Sequence, residues 1–429
     1  MNSMLRWLDK YILPGISKIA ENKHLRAIRD GIVSVLPLII IGSVFLLFGQ
    51  LPVDALKEDF LLKHKYLKAF VEWYKLNKTS IIMPYRLTMQ FMALFAAFGI
   101  SYNLAKNYKL NGIQSGMISA GAFLITQVPV KMEAGWFLPM KYMGGQGIFA
   151  SIICSFFAVE VTRFCENRKM NIKMPDGVPP SVVTAFSSLL PAFIVFTTVW
   201  LFTDVFGLDI IGFILKIFSP LMYLGDTIIA IIVINLVMQV IWLGGVHGAS
   251  IVNAVFLTVW MNYLEANAAA QSTNSVMPHI TSLPFYQWYI WIGGSGATLA
   301  LVILMLFSKN EFIKDLGRIS ILPGICNINE PIIYGLPIVM NPIMALPFIF
   351  TPIITGVISY VIVDLGLITR FFTMVPWTLP APIGGFLASG GDYRAVILIF
   401  LNILIAGIIY FPFLKSYERS LEKKEQVNE

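Results

Sequence analysis

Ile32–Phe48 reads IVSVLPLIIIGSVFLLF, an uncharged run preceded by Lys23, Arg26 and Arg29. It approaches the roughly 20 apolar residues a helix needs to cross a bilayer, and comparable runs recur along the chain. Of the 429 residues, 57% are hydrophobic and 13% charged, with a mean hydropathy of +0.75. Soluble domains carry about 25% charged residues, so the charge falls well short of what a water-facing surface requires. An ordinary cytoplasmic enzyme, a disordered chain and a secreted disulfide protein are excluded. The sequence predicts an all-α integral membrane protein.

The net charge of +7 does not point to nucleic acid. Basic residues fall in short clusters between apolar stretches, without aromatic interleaving, and such clusters set membrane orientation. Cys154, Cys165 and Cys326 are too few and too scattered for a disulfide framework or a metal site. The N-terminus lacks the apolar core and small-residue cleavage site of a removable signal peptide.

Beyond the first run, spans are expected at about Ile81–Ala105, Leu110–Val130, Gly147–Phe164 and from Pro180 to Phe206. The second half adds Asp226–Leu243, Phe285–Phe307, Ile343–Leu365 and Ala395–Phe413. This gives nine spans, or ten if Ala249–Tyr263 or Phe371–Gly391 also crosses. The organisation expected is an amphipathic N-terminal segment (1–30), a regular scaffold half of five spans (31–206) and an amphipathic connecting helix (207–225). A transport half (226–414) and a charged tail (415–429) follow. An even count places both basic termini in the cytoplasm. The stretch Asp54–Lys78, expected as an outer loop, conflicts with that orientation because it holds six lysines.

The second half is punctuated by breakers. Gly244–Gly245–Val246–His247–Gly248 ends one span, Asn329–Pro342 (NEPIIYGLPIVMNP) is dense in Pro, Gly and Asn, and Pro376, Pro380 and Pro382 interrupt another. Broken helices at membrane depth survive where protein or a water-filled cavity covers the freed backbone groups, and in transporters they mark the substrate site. Glu330 stands between two apolar stretches, directly before Pro331. It reads either as a loop glutamate or as a carboxylate accepting hydrogen bonds from a polar ligand. The amides of Asn327, Asn329 and Asn341 favour the second, since donors and acceptors together suit hydroxyl-rich ligands.

A lone histidine is more often structural, but His247 lies where Gly248 lets backbone approach a ligand closely, with Glu330 as a candidate partner. Trp242 and Trp377 read as interfacial anchors or as surfaces for a sugar ring. Ser250, Asn253 and Thr378 are weaker donors, and Arg86 and Glu160 read as structural. No phosphate-binding Gly-Lys-Ser/Thr loop, His-Glu-x-x-His site or Gly-x-Ser-x-Gly elbow is present, and no cofactor is expected. Energy must come from an ion gradient or from a separate protein. Residues alone leave an ion-coupled transporter, a phosphorylation-coupled one and an intramembrane enzyme acting on lipid-linked sugar all open.

Asn329–Phe348 (NEPIIYGLPIVMNPIMALPF), Trp242–Gly248 (WLGGVHG) and Leu13–Leu47 together resemble the lactose/cellobiose (diacetylchitobiose) family of phosphotransferase-system enzyme IIC components. The resemblance implies about ten transmembrane helices, two re-entrant hairpins in the second half and a homodimer held by the first half in a bacterial plasma membrane. It implies uptake of a β-linked disaccharide of the cellobiose, diacetylchitobiose or lactose type. Phosphate would arrive through the phosphocarrier protein and IIA on a cysteine of a separate IIB protein. Glu330 and His247 match the principal sugar-site residues, with Asn327, Asn329, Trp242, Trp377 and Gly248 around them. The ion-coupled alternative would show uptake sensitive to an uncoupler and indifferent to IIB.

Overall fold

The computed structural model describes residues 22–51, 53, 63–170, 178, 180–336, 338 and 342–428. Residues 1–21 of the N-terminal segment, 54–62 of the lysine-bearing stretch, Lys173 and Asn341 lie outside that description.

Helix α1 (Lys23–Gly49) starts where Asn22 accepts hydrogen bonds from the His24 and Leu25 amides, a side-chain cap on otherwise orphaned donors. Helix α2 (Lys65–Thr88) and α3 (Met92–Asn107) are joined by a 3-10 turn at Met89–Phe91. Lys65–Lys78 is therefore helix, not loop. Val71 and Tyr74 turn a buried face inward, and the Tyr74 hydroxyl accepts from the Leu51 amide at 3.1 Å. Helix α4 (Gly112–Ile125), capped by Asn111, leads to an exposed two-stranded ribbon, β1 (Val130–Met132) and β2 (Gly135–Phe137). The ribbon is antiparallel, with Lys131 opposite Trp136, and is the one departure from helix among the described elements. Helices α5 (Ile148–Asn167), α6 (Pro180–Ser187) and α7 (Leu189–Trp200) complete the first half.

Helix α8 (Ile210–Gly225) meets α9 (Ile228–Leu243) at 83°, a bend too sharp for one straight crossing. Helix α10 (Gly248–Ser272) continues past Tyr263, with Asn262, Glu265 and Asn267 buried on it. The later helices are α11 (Leu299–Leu306), α12 (Glu311–Ile325), α13 (Glu330–Gly335), α14 (Pro342–Asp364), α15 (Ala381–Ala388) and α16 (Tyr393–Asn428). The tail from Lys415 continues the last helix.

The expected unbroken span Phe285–Phe307 does not form. A π-helical turn at Tyr286–Ile290 is followed by a non-helical stretch before α11 begins. Gly293, Gly294 and Gly296 adopt φ of 80°, 99° and 88° there, a left-handed backbone that glycine alone enters freely. Six described helices are long and apolar enough to cross a membrane, or seven if α8 and α9 count as one bent span. Helix α4 falls short of that length. Phe193, Phe213 and Ile229 are each about two-thirds exposed, an apolar surface suited to lipid and not to water.

Small residues let α1 and α3 meet closely. A Cβ at Gly31 would lie 2.5 Å from the backbone of Ile100, and one at Gly99 would lie 2.8 Å from the Gly31 carbonyl oxygen. The two halves join where α10 packs on α1. Bonds from the Gln50 side chain to the Gln271 carbonyl (3.0 Å) and from the Met374 amide to the Ser43 hydroxyl (2.9 Å) link them. Gly31→Val is expected to cost about 1–3 kcal/mol by overpacking α1 against α3, read as a lowered unfolding temperature of the detergent-purified protein.

Candidate functional site

Four interruptions of helix converge in the second half. The first lies between α9 and α10. His247 caps α10, its Nδ1 accepting from the Ser250 amide at 3.1 Å, with the Ser250 hydroxyl 3.0 Å away. A neutral ring so engaged carries its proton on Nε2, which faces the Glu330 Oε1 at 3.6 Å. The imidazole rests on the indole of Trp242, ring centres 4.3 Å apart. Gly248 is required because a Cβ there would collide with the Met238 carbonyl oxygen.

The second interruption is the glycine-rich stretch 291–298. The Ser295 hydroxyl accepts from the Trp242 indole N–H at 3.0 Å, and the Ser295 carbonyl accepts from the Asn329 amide at 2.6 Å. Asn329 lies directly against Gly294, where a Cβ would strike its side chain. The carbonyls freed by the break are also taken up: Thr298 donates to Gly293 (2.6 Å) and Tyr410 to Gly296 (2.7 Å).

The third interruption joins α12 to α13 and carries Asn327, Asn329 and Glu330. Asn327 has φ 61°, a conformation asparagine tolerates better than most residues. Its Oδ1 accepts from the Gly293 amide at 2.9 Å, while its Nδ2 donates to the Trp377 carbonyl (2.8 Å) and the Leu379 carbonyl (2.9 Å). Trp377 and Leu379 belong to the fourth interruption, the non-helical stretch before α15. One side chain thus fastens three breaks together. The start of that stretch is held by Asp392, which accepts from the Thr369 amide (2.9 Å) and from Arg394. Burial opposes ionisation of Asp392, but the Arg394 guanidinium and the Thr369 amide prevail and hold its carboxyl below the usual carboxylate range.

His247, Glu330, Trp242, Asn327, Asn329, Gly248 and Trp377 are therefore brought to one region by the fold. Their surroundings differ in kind. The His247 and Glu330 side chains are 47% and 44% exposed, open to a ligand. Trp242 and Asn329 are buried and the Asn327 amide is engaged on backbone, so these three hold the site's shape. The Trp377 side chain is exposed. Ser295 and the glycines beside it were not singled out in the sequence, although the string Gly293–Gly294–Ser295–Gly296 signals a break. Of the weaker candidates, Ser250 contacts His247 and Thr378 is exposed. The Asn253 Oδ1 is buried without a partner. Glu160 pairs with Arg163 (3.3 Å) and His24 (3.6 Å) at the far end of α5, a structural role.

An acid and an imidazole within ion-pair distance, reachable from outside, can accept and donate hydrogen bonds to a hydroxyl and move its proton. Residues 29–352 match the family model described as phosphotransferase system, EIIC. The chain is 36% identical to the lichenan permease IIC component of Bacillus subtilis, over 99% of this chain and 96% of that protein. It is 36% identical to the cellobiose-specific EIIC component of Geobacillus stearothermophilus, over 100% of this chain and 97% of that protein. Its fold is similar to the crystal structure of the transporter ChbC, the IIC component from the N,N'-diacetylchitobiose-specific phosphotransferase system. That likeness has a TM-score of 0.89 and 36% identity, covering 98% of this chain and 99% of the other.

Asn327→Asp keeps the acceptor and the shape but removes both donors. It is expected to cost about 1–3 kcal/mol, measured by thermal unfolding. Trp377→Leu, which leaves the backbone carbonyl in place, should remain within about 0.5 kcal/mol of the parent.

Proposed function

The chain belongs to the phosphotransferase system EIIC family, as a sugar-translocating membrane subunit, and from that premise we propose which groups hold and activate the sugar. The substrate is a β-linked disaccharide. The specificities of its relatives, for lichenan, cellobiose and diacetylchitobiose, support that class. The observation that carries the reading is the half-exposed pair of His247 and Glu330, 3.6 Å apart at the meeting of the breaks.

In this reading the sugar lies over the pair with one ring face toward Trp377. A terminal hydroxymethyl oxygen attacks the phosphorus of the phosphocysteine on IIB. The O–P bond forms as the S–P bond breaks, thiolate leaves on IIB, and Glu330 takes the hydroxyl proton. His247 donates from Nε2 to the attacking oxygen or its neighbour and fixes its position. Asn327, Asn329, Trp242 and Gly248 keep the two groups in register. The product carries about two negative charges, which the apolar outward path disfavours, so release runs one way.

The finer organisation is part of the same proposal. Adding α4, α10 and the bent α8–α9 pair to the six long helices gives nine crossings, close to the ten expected, and the segments 283–306 and 371–388 form the two re-entrant elements. The first half (31–206) serves as scaffold and homodimer contact, 207–225 as connector and 226–414 as transport unit. The membrane is the bacterial plasma membrane, with both termini cytoplasmic and IIB and IIA as partners on that side.

Inside-out vesicles supplied with phospho-IIB and a labelled disaccharide test the assignment. Glu330→Gln is expected to lower phosphosugar formation by about 10²–10⁴-fold, with sugar still bound. Parental rates in that variant would remove Glu330 from the reaction. Uptake that collapses with a proton uncoupler yet ignores phospho-IIB would favour ion-coupled transport instead.

A further inference from the structure

Away from the sugar site, α11 and α16 pack side by side and leave an apolar groove of about 460 Å³ between them. Its floor is made by small residues. A Cβ at Gly407 would find only the Ala300 methyl, at 4.0 Å. Leu304 lines one wall, and Leu404, Ile408 and Phe411, each at least half exposed, line the other. From residue 403 to 411 the groove runs about 12 Å along the helix, close to the roughly 15 Å hydrocarbon depth of one leaflet.

The same face of α16 then changes character. Leu404, Ile408 and Phe411 are followed at successive turns by Lys415 and Arg419, and the Lys415 ammonium sits 6.0 Å from the Phe411 ring centre. The nearby acid is already occupied. Glu418 pairs with Lys415 at 2.7 Å and accepts from Ser308 through its other oxygen. Arg419 and Lys309, which follow α16 and α11 out of the groove, are exposed. An apolar trough one leaflet deep, with excess positive charge at its aqueous end, matches a lipid with an anionic head.

We propose that the groove between α11 and α16 binds one acyl chain of an anionic phospholipid, its phosphate held at the Lys309–Lys415–Arg419 end in the leaflet nearest the C-terminal tail. The site is separate from the sugar-binding groups and does not depend on which sugar is carried. Occupancy ties α16 to α11, and through the Tyr410 bond to the Gly296 carbonyl it braces the break that holds Trp242 and Asn329.

The test is thermal unfolding of delipidated, detergent-purified protein titrated with phosphatidylglycerol or with phosphatidylcholine of identical chains. Phosphatidylglycerol is expected to raise the midpoint by about 2–5 °C more than phosphatidylcholine. Gly407→Leu, which fills the trough, should abolish the response to both lipids while sugar binding reports an intact fold. Lys309→Gln with Arg419→Gln, both on the surface, should make the two lipids equivalent, and this pair decides the matter if Gly407→Leu does not fold. Equal shifts by both lipids on the parent protein would overturn the proposal. So would a parental lipid response in Gly407→Leu, or a change in its oligomeric mass, which would make the groove a contact between copies.

Discussion

A helix broken inside a membrane exposes amide and carbonyl groups that hydrocarbon cannot satisfy, and each one left unpaired costs several kcal/mol. Everything in the second half of the chain follows from how those groups are met. Asn327, on one break, meets three of them from two others. Thr298, Asn329 and Tyr410 take up the Gly293, Ser295 and Gly296 carbonyls around the glycine stretch. The breaks are thus mutually dependent, and none would be tolerable without its neighbours.

This arrangement separates stiffness from access. The groups that fasten the breaks are buried or spent on backbone, whereas His247 and Glu330 project from the fastened frame into reachable space. Each of the two is anchored at its base, His247 by its cap on α10 and its seat on Trp242, Glu330 by the turn that opens α13. A ligand therefore meets a carboxylate and an imidazole whose separation is set before it arrives, which spares the ordering cost of assembling them. The first half is fastened differently, by glycines at the α1–α3 crossing and by buried serines that hydrogen-bond between helices.

The helical architecture and the identity of the Glu330–His247 pair were readable from the chain because charge is so scarce that any ionisable residue amid apolar sequence stands out. Glu330 and His247 declared themselves that way, and the Asn-Glu-Pro string carried the family resemblance. The break at 291–298 was hidden because Phe285–Phe307 is apolar throughout, and hydropathy responds to composition and not to φ. Only the glycine spacing held the signal. Lys65–Lys78 was hidden for the converse reason: its lysines mask an amphipathic helix whose inward face is Val71 and Tyr74. The role of Asn327 could not be read at all, since its partners are backbone atoms distant in sequence.

That last point bears on how such a protein can diversify. Aspartate at position 327 would lack the donors, serine the reach, and glutamine would be a methylene too long, so none of these three preserves the fastening. Trp377 and Leu379 contribute only their carbonyls to it; the Leu379 side chain packs against the core, whereas that of Trp377 is exposed. Mutational drift can therefore rewrite the side chain at position 377 while the frame that Asn327 fastens stays fixed.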